Sequence, residues 1–241
     1  MKSFMLAVAT GVAVGAGGAY GVEVMRHTPV FEHVNYVTDE AQQVPRRIVI
    51  GLDISKSNPL VDDQAFASKV ATRIGDQIRK LGFRSEVHVR TFGSFDASSN
   101  GFYYDTVLSI RSRPQQVAAE VEKLISGTPA LVARGKWKSQ NTTNILGFLD
   151  NVSQSIGCSG LPTTIILASD GLEDSEYAKL SSASAHLPSP QGRPFAGCKE
   201  LQILGIGQGT DSPVETARLR SEWWRWTKAA GFAKFQGLND W

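Results

Sequence analysis

The sequence predicts an α/β protein: a doubly wound, mainly parallel β-sheet with helices on both faces, preceded by a hydrophobic helix. Three observations predict it. From residue 46 onward, short apolar runs alternate with longer amphipathic segments, as strands and helices do in a parallel sheet. The apolar runs are nearly continuous, which is typical of strands buried on both faces. The connection between the second and third predicted strands is short, which favours an antiparallel hairpin at one edge.

The first predicted strand is RRIVIGLD, which starts at Arg46. The helix that follows, VDDQAFASKVATRIGDQIRKLG, carries apolar Phe66, Val70, Ile74 and Ile78 at the spacing of one helical face. A glycine closes this helix, as glycines often do. Next come the two strands of the predicted hairpin, SEVHVRTFG and GFYYDTVLSIRS.

The second half of the chain continues the alternation of helices and strands. A helix that begins with proline and ends with glycine, PQQVAAEVEKLISG, precedes the helix TNILGFLDNVSQSI. The remaining predicted elements are, in order, the strand TTIILAS, the helix SEYAKLSSASAHL, the strand LQILGIG, the helix PVETARLRSEWWRWTKAAG and the strand AKFQGL. Residues 181–197 are rich in Ser, Pro and Gly, which is typical of an exposed loop.

The N-terminal segment from Ser3 to Val22 carries no charge. Its length is close to the roughly 20 residues that a helix needs to cross a bilayer. Gly11 and Gly15 stand at the GxxxG spacing of packed membrane helices. A transmembrane anchor is one interpretation, a cleaved signal peptide is a second, and a buried or disordered glycine-rich segment is a third.

This segment divides the chain into three predicted parts. They are a signal or membrane-anchor segment (1–25), a linker (26–45) and one α/β domain (46–241). Anchor and signal peptide both imply export. With Lys2 held inside, the domain faces the outer side of the membrane, which is periplasmic or extracellular.

The two cysteines, Cys158 and Cys198, each lie shortly before a predicted strand. If those strands are parallel neighbours, both cysteines lie at the same edge of the sheet, where a disulfide is geometrically possible. Such a bond would close a loop of about 40 residues and stabilise the fold by roughly 3–4 kcal/mol on the chain-entropy model. Two unrelated buried thiols are the alternative, but export to an oxidising compartment favours the disulfide.

Polar side chains follow two of the predicted strands, at the end where ligands bind in a doubly wound sheet. Asp53, Ser55 and Ser57 come directly after the first strand, Asp170 follows the strand TTIILAS, and a pair of threonines opens the helix between them. Two carboxylates and neutral hydroxyls are ligands that a hard cation such as Mg²⁺ accepts, and Mn²⁺ or Ca²⁺ could replace it. The absence of Cys and His from this set argues against zinc or copper.

These residues resemble the metal-ion-dependent adhesion site of the von Willebrand factor type A domain family. The resemblance is carried by the run Asp53–Ser57 (DISKS), by a threonine in NTTNI and by Asp170 in ILASDG, in the family's order along the chain. It extends over about residues 46–241. Asn144-Ile145 follow Thr143 as they do in the family, so the resemblance selects Thr143 as the threonine ligand.

The resemblance implies a sheet of strand order 3-2-1-4-5-6 and a bound Mg²⁺. It also implies capture of a partner protein that presents an exposed Asp or Glu to the metal, without catalysis. The chain departs from the family at two places: Lys56 stands where glycine is usual, and Gln140-Asn141-Thr142 stand where glycines are usual. A lysine side chain can turn away from such a site into water.

The charge distribution excludes nucleic acid as a partner. The net charge is +2, and the lysines and arginines are scattered, so the chain lacks the basic patch that binds nucleic acid. Arg134, Lys136 and Lys138 lie shortly before the predicted threonine ligand. They form either an ordinary solvated loop or a patch that steers an acidic partner toward the metal.

Two other functions are consistent with the same residues. A metal-free type A scaffold in a cell-envelope assembly keeps the fold, and Asp53 or the serines then merely cap the next helix. A Mg²⁺-dependent phosphohydrolase would use Asp53 as its nucleophile. Such enzymes generally need a second acid two residues further on, where this chain has Ser55. We therefore expect a binding domain and not an enzyme.

Overall fold

The structure is a computed structural model that describes residues 43–94, 102–210 and 212–241. All of them belong to one unit of the chain. The predicted signal or anchor segment (1–25) and most of the predicted linker (26–45) lie outside the described residues. Within the described ranges, no helix is both long and apolar enough to cross a bilayer.

Six strands of the described chain form one sheet, in the order β3-β2-β1-β4-β5-β6. Neighbouring strands are parallel except for β2 and β3, which form an antiparallel pair at one edge. Both features confirm the predicted fold. The strands are β1 (Arg47–Asp53), β2 (Glu86–Phe92), β3 (Tyr103–Val107), β4 (Thr163–Ala168), β5 (Glu200–Leu204) and β6 (Lys234–Leu238).

Helices connect most of the strands and cover the sheet. The Asp63 side chain caps the first long helix by accepting two N–H groups of its first turn, and prolines open two of the later helices. The helices are α1 (Gln64–Arg79), α2 (Pro114–Ser126), α3 (Thr128–Ala133), α4 (Ile145–Ser155) and α5 (Pro213–Ala230), and a short 3₁₀ helix lies at Pro59–Val61.

Alternate residues of β1 contribute to the two hydrophobic cores of the domain. Ile50 and Leu52 belong to the core that contains the apolar residues of α1 and α2, whereas Val49 belongs to the core that contains those of α4 and α5. Gly51 has no room for a side chain, because a Cβ there would lie 2.7 Å from the ring of Phe148. The carboxyl end of β1 therefore lies between two cores, which bury the side chain that ends the strand.

The connection between β4 and β5 contains no helix in the described structure, so the predicted helix SEYAKLSSASAHL is wrong. Contacts with distant residues hold this segment instead. The Leu180 N–H donates to the carbonyl of Glu173 at 2.8 Å, and the Arg218 guanidinium donates to the carbonyls of Leu180 and Ala185. Its many serines also favour turns over helix, because their hydroxyls compete for backbone hydrogen bonds.

A disulfide joins Cys158 to Cys198, with the Cα atoms 5.0 Å apart, as predicted. Cys158 lies ahead of β4 and Cys198 ahead of β5, and these strands are parallel neighbours. The bond spans a sequence separation of 40 residues and so closes the irregular β4–β5 connection. Disulfides persist in oxidising compartments, which is the environment expected of an exported domain.

Candidate metal centre

Two buried carboxylates lie where β1 and β4 end. Asp53 is the last residue of β1, Asp170 follows β4, and neither side chain is exposed. The Ser169 hydroxyl donates to Asp53 Oδ2 at 2.7 Å, and the Ser55 N–H donates to Asp53 Oδ1 at 2.9 Å. The ends of two neighbouring strands thus bring two acids into one crevice.

Asn58 ties the same two strand ends together, and it is a residue that the sequence reasoning missed. Its Nδ2 donates to the carbonyl oxygens of Asp53 at 2.7 Å and Ala168 at 3.0 Å, and the side chain is fully buried. The Asn58 side chain also caps the 3₁₀ helix, while Asp63 caps α1. Other residues therefore supply the helix caps, which leaves the predicted ligands after β1 without a capping role.

Ser55 and Ser57 place two hydroxyls beside the acids. Their Oγ atoms are 3.3 Å apart; Ser55 is buried and Ser57 is exposed. Lys56, between them, is exposed, and its backbone N–H donates to the carbonyl of Gln140 at 2.8 Å. Lys56 therefore lies at the solvent side of the site.

The loop ahead of α4 packs against the segment that follows β1. The Gln140 N–H donates to the carbonyl of Ile54 at 2.9 Å, and Gln140 forms a parallel bridge with Ser55. Gly93, directly after β2, permits this approach, because a Cβ there would lie 2.6 Å from Gln140 Cγ. Ser94 also donates to the Gln140 side chain at 2.8 Å. Gln140 thus fits here because Gly93, which faces it from the end of β2, has no side chain.

Of the two threonines in this loop, Thr143 is buried and Thr142 is exposed. The Thr143 N–H donates to the carbonyl of Asp174 at 3.2 Å, and the Asp174 N–H donates back to the carbonyl of Thr143 at 2.9 Å. Helix α4 is capped by Asn144, whose side chain accepts an N–H of the first turn at 2.6 Å. Thr143 therefore lies on a loop tied to both strand ends, through Gln140 on one side and Asp174 on the other.

Asp170 has one satisfied and one unsatisfied oxygen. Its Oδ1 accepts the Leu172 N–H at 2.9 Å, whereas its buried Oδ2 has no hydrogen-bond partner among the described residues. The turn after it is held in place by Gly171, which has a φ of 75° and whose carbonyl accepts the indole N–H of Trp223 at 2.8 Å. Buried polar atoms in native proteins nearly always have a partner, so the free oxygen marks a place for an ion or a water.

Burial raises the pKa of both acids toward neutrality. The pKa of Asp53 rises to about 7, because burial disfavours its carboxylate and because the neighbouring Asp170 carboxylate repels it. The pKa of Asp170 rises to about 6, chiefly through burial, while the hydrogen bond from the Leu172 N–H and the nearby Ser57 hydroxyl act in the opposite direction. Two adjacent buried carboxylates are stabilised either by a proton or by a cation.

Glu173 is a third fully buried acid that the sequence reasoning missed. Its Oε2 accepts the N–H groups of Ile145 at 2.8 Å and Leu146 at 3.1 Å, in the first turn of α4. Burial raises the pKa of Glu173 to about 7. The residue locks the loop after Asp170 onto the start of α4. The only signal for it in the sequence is an acid three positions after a predicted ligand.

The oxygen donors assembled here fit a hard divalent cation. The unpaired Asp170 Oδ2 and the repulsion between Asp53 and Asp170 leave a place for positive charge, and the hydroxyls of Ser55 and Ser57 lie in the same group. Thr143 lies on the adjoining loop. The described ranges contain no group of three or more His, Cys, Asp or Glu side chains suited to a metal. An ion at this site would therefore depend on the hydroxyls as well as on the two carboxylates.

The three predicted steering residues, Arg134, Lys136 and Lys138, are exposed between α3 and the Thr143 loop. Arg134 directly follows α3, and the Gln140 side chain donates to the Lys138 carbonyl at 2.9 Å. The segment therefore presents three cations to solvent and is attached to the loop of the candidate metal centre.

Comparison with known proteins identifies similar folds and no family. No protein-family model and no curated protein matches the chain. The chain is similar to the pilus adhesin SpaC from Lactobacillus rhamnosus GG in its open conformation, at 13% identity and a TM-score of 0.44, over 83% of this chain and 28% of that chain. It is also similar to the conserved hypothetical protein BatB from Bacteroides thetaiotaomicron, at 14% identity and a TM-score of 0.42, over 81% of this chain and 91% of that chain. Function must therefore be argued from the site itself.

Proposed function

We propose that the chain is an exported, membrane-anchored domain of the type A kind, which binds Mg²⁺ and captures a partner protein through an acidic side chain. It acts by binding and not by catalysis. One observation carries the proposal: two adjacent carboxylates are fully buried, and one of their oxygens has no hydrogen-bond partner. The proposed metal ligands are Asp53, Ser55, Ser57, Thr143 and Asp170.

The physical argument concerns charge. Near neutral pH, ionisation of Asp53 is opposed both by burial and by repulsion from Asp170, as its raised pKa of about 7 indicates, and burial raises the pKa of Asp170 to about 6. A divalent cation would remove the repulsion and give Asp170 Oδ2 a partner. Mg²⁺ prefers oxygen ligands and often keeps an open or water-filled position. Because the other proposed ligands are neutral hydroxyls, the ion would retain an attraction for a carboxylate from outside.

The cations ahead of the Thr143 loop support an acidic partner, whereas the cavity beside the loop carries two acids, Asp174 and Glu176, and would favour a basic residue next to the partner's acid. Beside the Thr143 loop is a cavity of about 390 Å³, which offers space for the residues that flank the partner's Asp or Glu. It is lined by Thr142, Asn144, Asp174, Ser175, Glu176 and Lys179. The three exposed cations ahead of the loop attract an acidic protein over a distance that salt limits to about 10 Å at 0.1 M. We propose that they speed its association.

Export is supported by two features of the chain. The Cys158–Cys198 disulfide is typical of an oxidising compartment. The uncharged segment from Ser3 to Val22 has the length of a membrane anchor. We propose that this segment holds the domain on the outer face of a membrane, within reach of an envelope or extracellular partner.

The test is a titration of folding stability with Mg²⁺. A ligand that binds only the folded state stabilises it by about 2.7 kcal/mol at 100 times its dissociation constant. We expect urea unfolding of the full chain to show an increase of this size with Mg²⁺ and none with chelator. Asp170→Ala should abolish the increase. Asp62→Asn, which removes an exposed carboxylate before α1, is the matched control and should leave it intact.

Coincident unfolding curves with Mg²⁺ and with chelator would rule out the metal site. The fold would then serve as a metal-free scaffold in an envelope assembly. A Mg²⁺ response that persists in Asp170→Ala would place the ion elsewhere in the protein. Once a partner has been found by crosslinking, binding that survives chelation would exclude the metal-completed acidic contact while leaving the site itself in place.

A further inference from the structure

A second charged region lies along α1, on residues that the candidate metal centre does not use. It is a cavity of about 490 Å³, a size within the range of about 300–1,000 Å³ that is usual for small-molecule sites. We call it the Arg73 pocket. It is lined by one face of α1, from Lys69 to Lys80, by Gln202 of β5 and by Trp241.

Three cations line this pocket, because their spacing places them on one face of α1. Lys69, Arg73 and Lys80 are separated by four and seven residues. Lys69 is paired with a carboxylate of the C-terminal segment, and the acid in the lining, Asp76, lies 3.0 Å from Arg79, which it shares with Glu122. Among the described residues, no carboxylate lies within ion-pair distance of Arg73 or Lys80. The pocket thus holds two uncompensated positive charges.

Arg73 also carries a buried donor that has no acceptor. Within the part of the chain that the structure describes, its Nε atom is buried without a hydrogen-bond partner, and its guanidinium carbon lies 5.9 Å from the centroid of the Trp241 ring. The ring face attracts the cation, but it offers no oxygen to the N–H group. Since buried donors in native proteins nearly always have an acceptor, this N–H is a place where a ligand oxygen would bind.

Two glutamines give the pocket an ordered polar side. The Gln77 amide donates to Gln202 Oε1 at 3.0 Å, and the Gln202 amide donates in turn to Glu200 at 3.0 Å. Gln202 is buried, and these bonds determine its orientation. The pocket is therefore preformed on this side, as small-molecule sites usually are.

We propose that the Arg73 pocket binds a small molecule that carries a phosphomonoester. Its two uncompensated cations match the charge of about −1.5 to −2 that such a group carries at pH 7. The planar guanidinium of Arg73 offers N–H donors in the arrangement that fits phosphate oxygens. The cavity is larger than a phosphate alone would fill, and the Trp241 ring provides an aromatic surface for an attached organic group.

The test compares phenyl phosphate with inorganic phosphate by calorimetric titration of the purified full chain. The buffer contains chelator, so that no divalent cation bridges phosphate to the candidate metal centre. We expect phenyl phosphate to bind at one saturable site, about tenfold more tightly than inorganic phosphate. Arg73→Gln should weaken binding about tenfold or more. Arg111→Gln makes the same charge change at an exposed position outside the pocket and should leave binding unchanged.

Two further variants keep the proposal falsifiable. Arg73→Lys keeps the charge and loses the planar donor set, so its affinity should fall between those of wild type and Arg73→Gln. Lys80→Gln, at an exposed position, should weaken binding even if Arg73→Gln does not fold. Unsaturable binding by the wild type, or an equal loss in Arg111→Gln, would overturn the proposal. So would a loss of binding in Asp170→Ala, because it would place the phosphate at the other site.

Discussion

The candidate metal centre and the Arg73 pocket both hold unbalanced charge, but of opposite sign and by different means. In the metal centre, the ends of β1 and β4 bring Asp53 and Asp170 together from positions far apart in the sequence, and burial raises the pKa of both. In the pocket, the cations come from one face of a surface helix and from the residue that ends it. Sheet topology thus concentrates like charges in a buried crevice, whereas helical spacing collects them at the surface.

Of the substitutions that test this comparison, Asp53→Asn should have the largest effect on the free energy of unfolding. Asparagine keeps an acceptor for the Ser55 N–H but removes one of the two repelling charges. The pKa of Asp53 is raised to about 7 from 3.8, so the ionised group opposes folding by on the order of 4 kcal/mol. At pH 8 with chelator, the variant should be more stable than wild type by up to about that amount, and it should no longer respond to Mg²⁺.

The raised pKa of Asp53 also determines how the free energy of unfolding depends on pH. Because the pKa of Asp53 is higher in the folded than in the unfolded state, the folded chain binds more protons between about pH 4 and pH 7. Metal-free wild type should therefore lose stability from this group as the pH rises through that window, and Asp53→Asn should lose less. Urea unfolding at pH 5 and pH 8 measures both, with Asp150→Asn, an exposed acid on α4, as the control. Parallel pH profiles would show that folding does not raise the pKa of Asp53.

Glu173 sharpens the comparison, because it is a buried acid whose hydrogen bonds are satisfied. Glu173→Ala should lower the free energy of unfolding by about 2 kcal/mol, since it leaves two N–H groups of α4 without an acceptor. Glu173→Gln keeps an acceptor oxygen and should have a smaller effect. Chemical unfolding at pH 5, below the raised pKa of Glu173 of about 7, distinguishes the two without the cost of burying its charge. The exposed Glu176→Gln is the control, and equal losses in Gln and Ala would contradict an anchoring role.

The smallest expected effect concerns Lys56, a cation that water screens. Because its side chain is exposed beside the proposed ligands, Lys56→Gln should raise the affinity for Mg²⁺ only about two- to fivefold at low salt, and 1 M salt should remove the difference. Calorimetric titration with Mg²⁺ at two ionic strengths tests this, with Lys123→Gln on α2 as the control. An unchanged affinity at low salt would show that the lysine lies too far from the ion to matter.

Sequence patterns were sufficient for the strands and for the meeting of Asp53 and Asp170 at the ends of two of them. The apolar runs of β1 and β4 predict strands buried on both faces, and their ends bring Asp53 and Asp170 to one place. The same kind of pattern led to the wrong prediction of a helix at SEYAKLSSASAHL. Only some of the regularly spaced apolar side chains of this segment are buried: Leu180 is buried, whereas Tyr177 is half exposed. Hydrogen bonds from Arg218, which lies on α5, hold this segment in a non-helical conformation.

By itself, the sequence determined the order of strands and helices, the antiparallel edge and the position of the disulfide. These follow from periodicity and from which residues end each strand, which are properties of neighbours along the chain. Only the tertiary structure decided that Asn58 ties two strands, that Glu173 anchors α4 and that Arg73 Nε is buried without a partner. Hydrogen-bond satisfaction and the pKa of a buried group depend on the atoms packed around it, and those atoms come from distant parts of the chain.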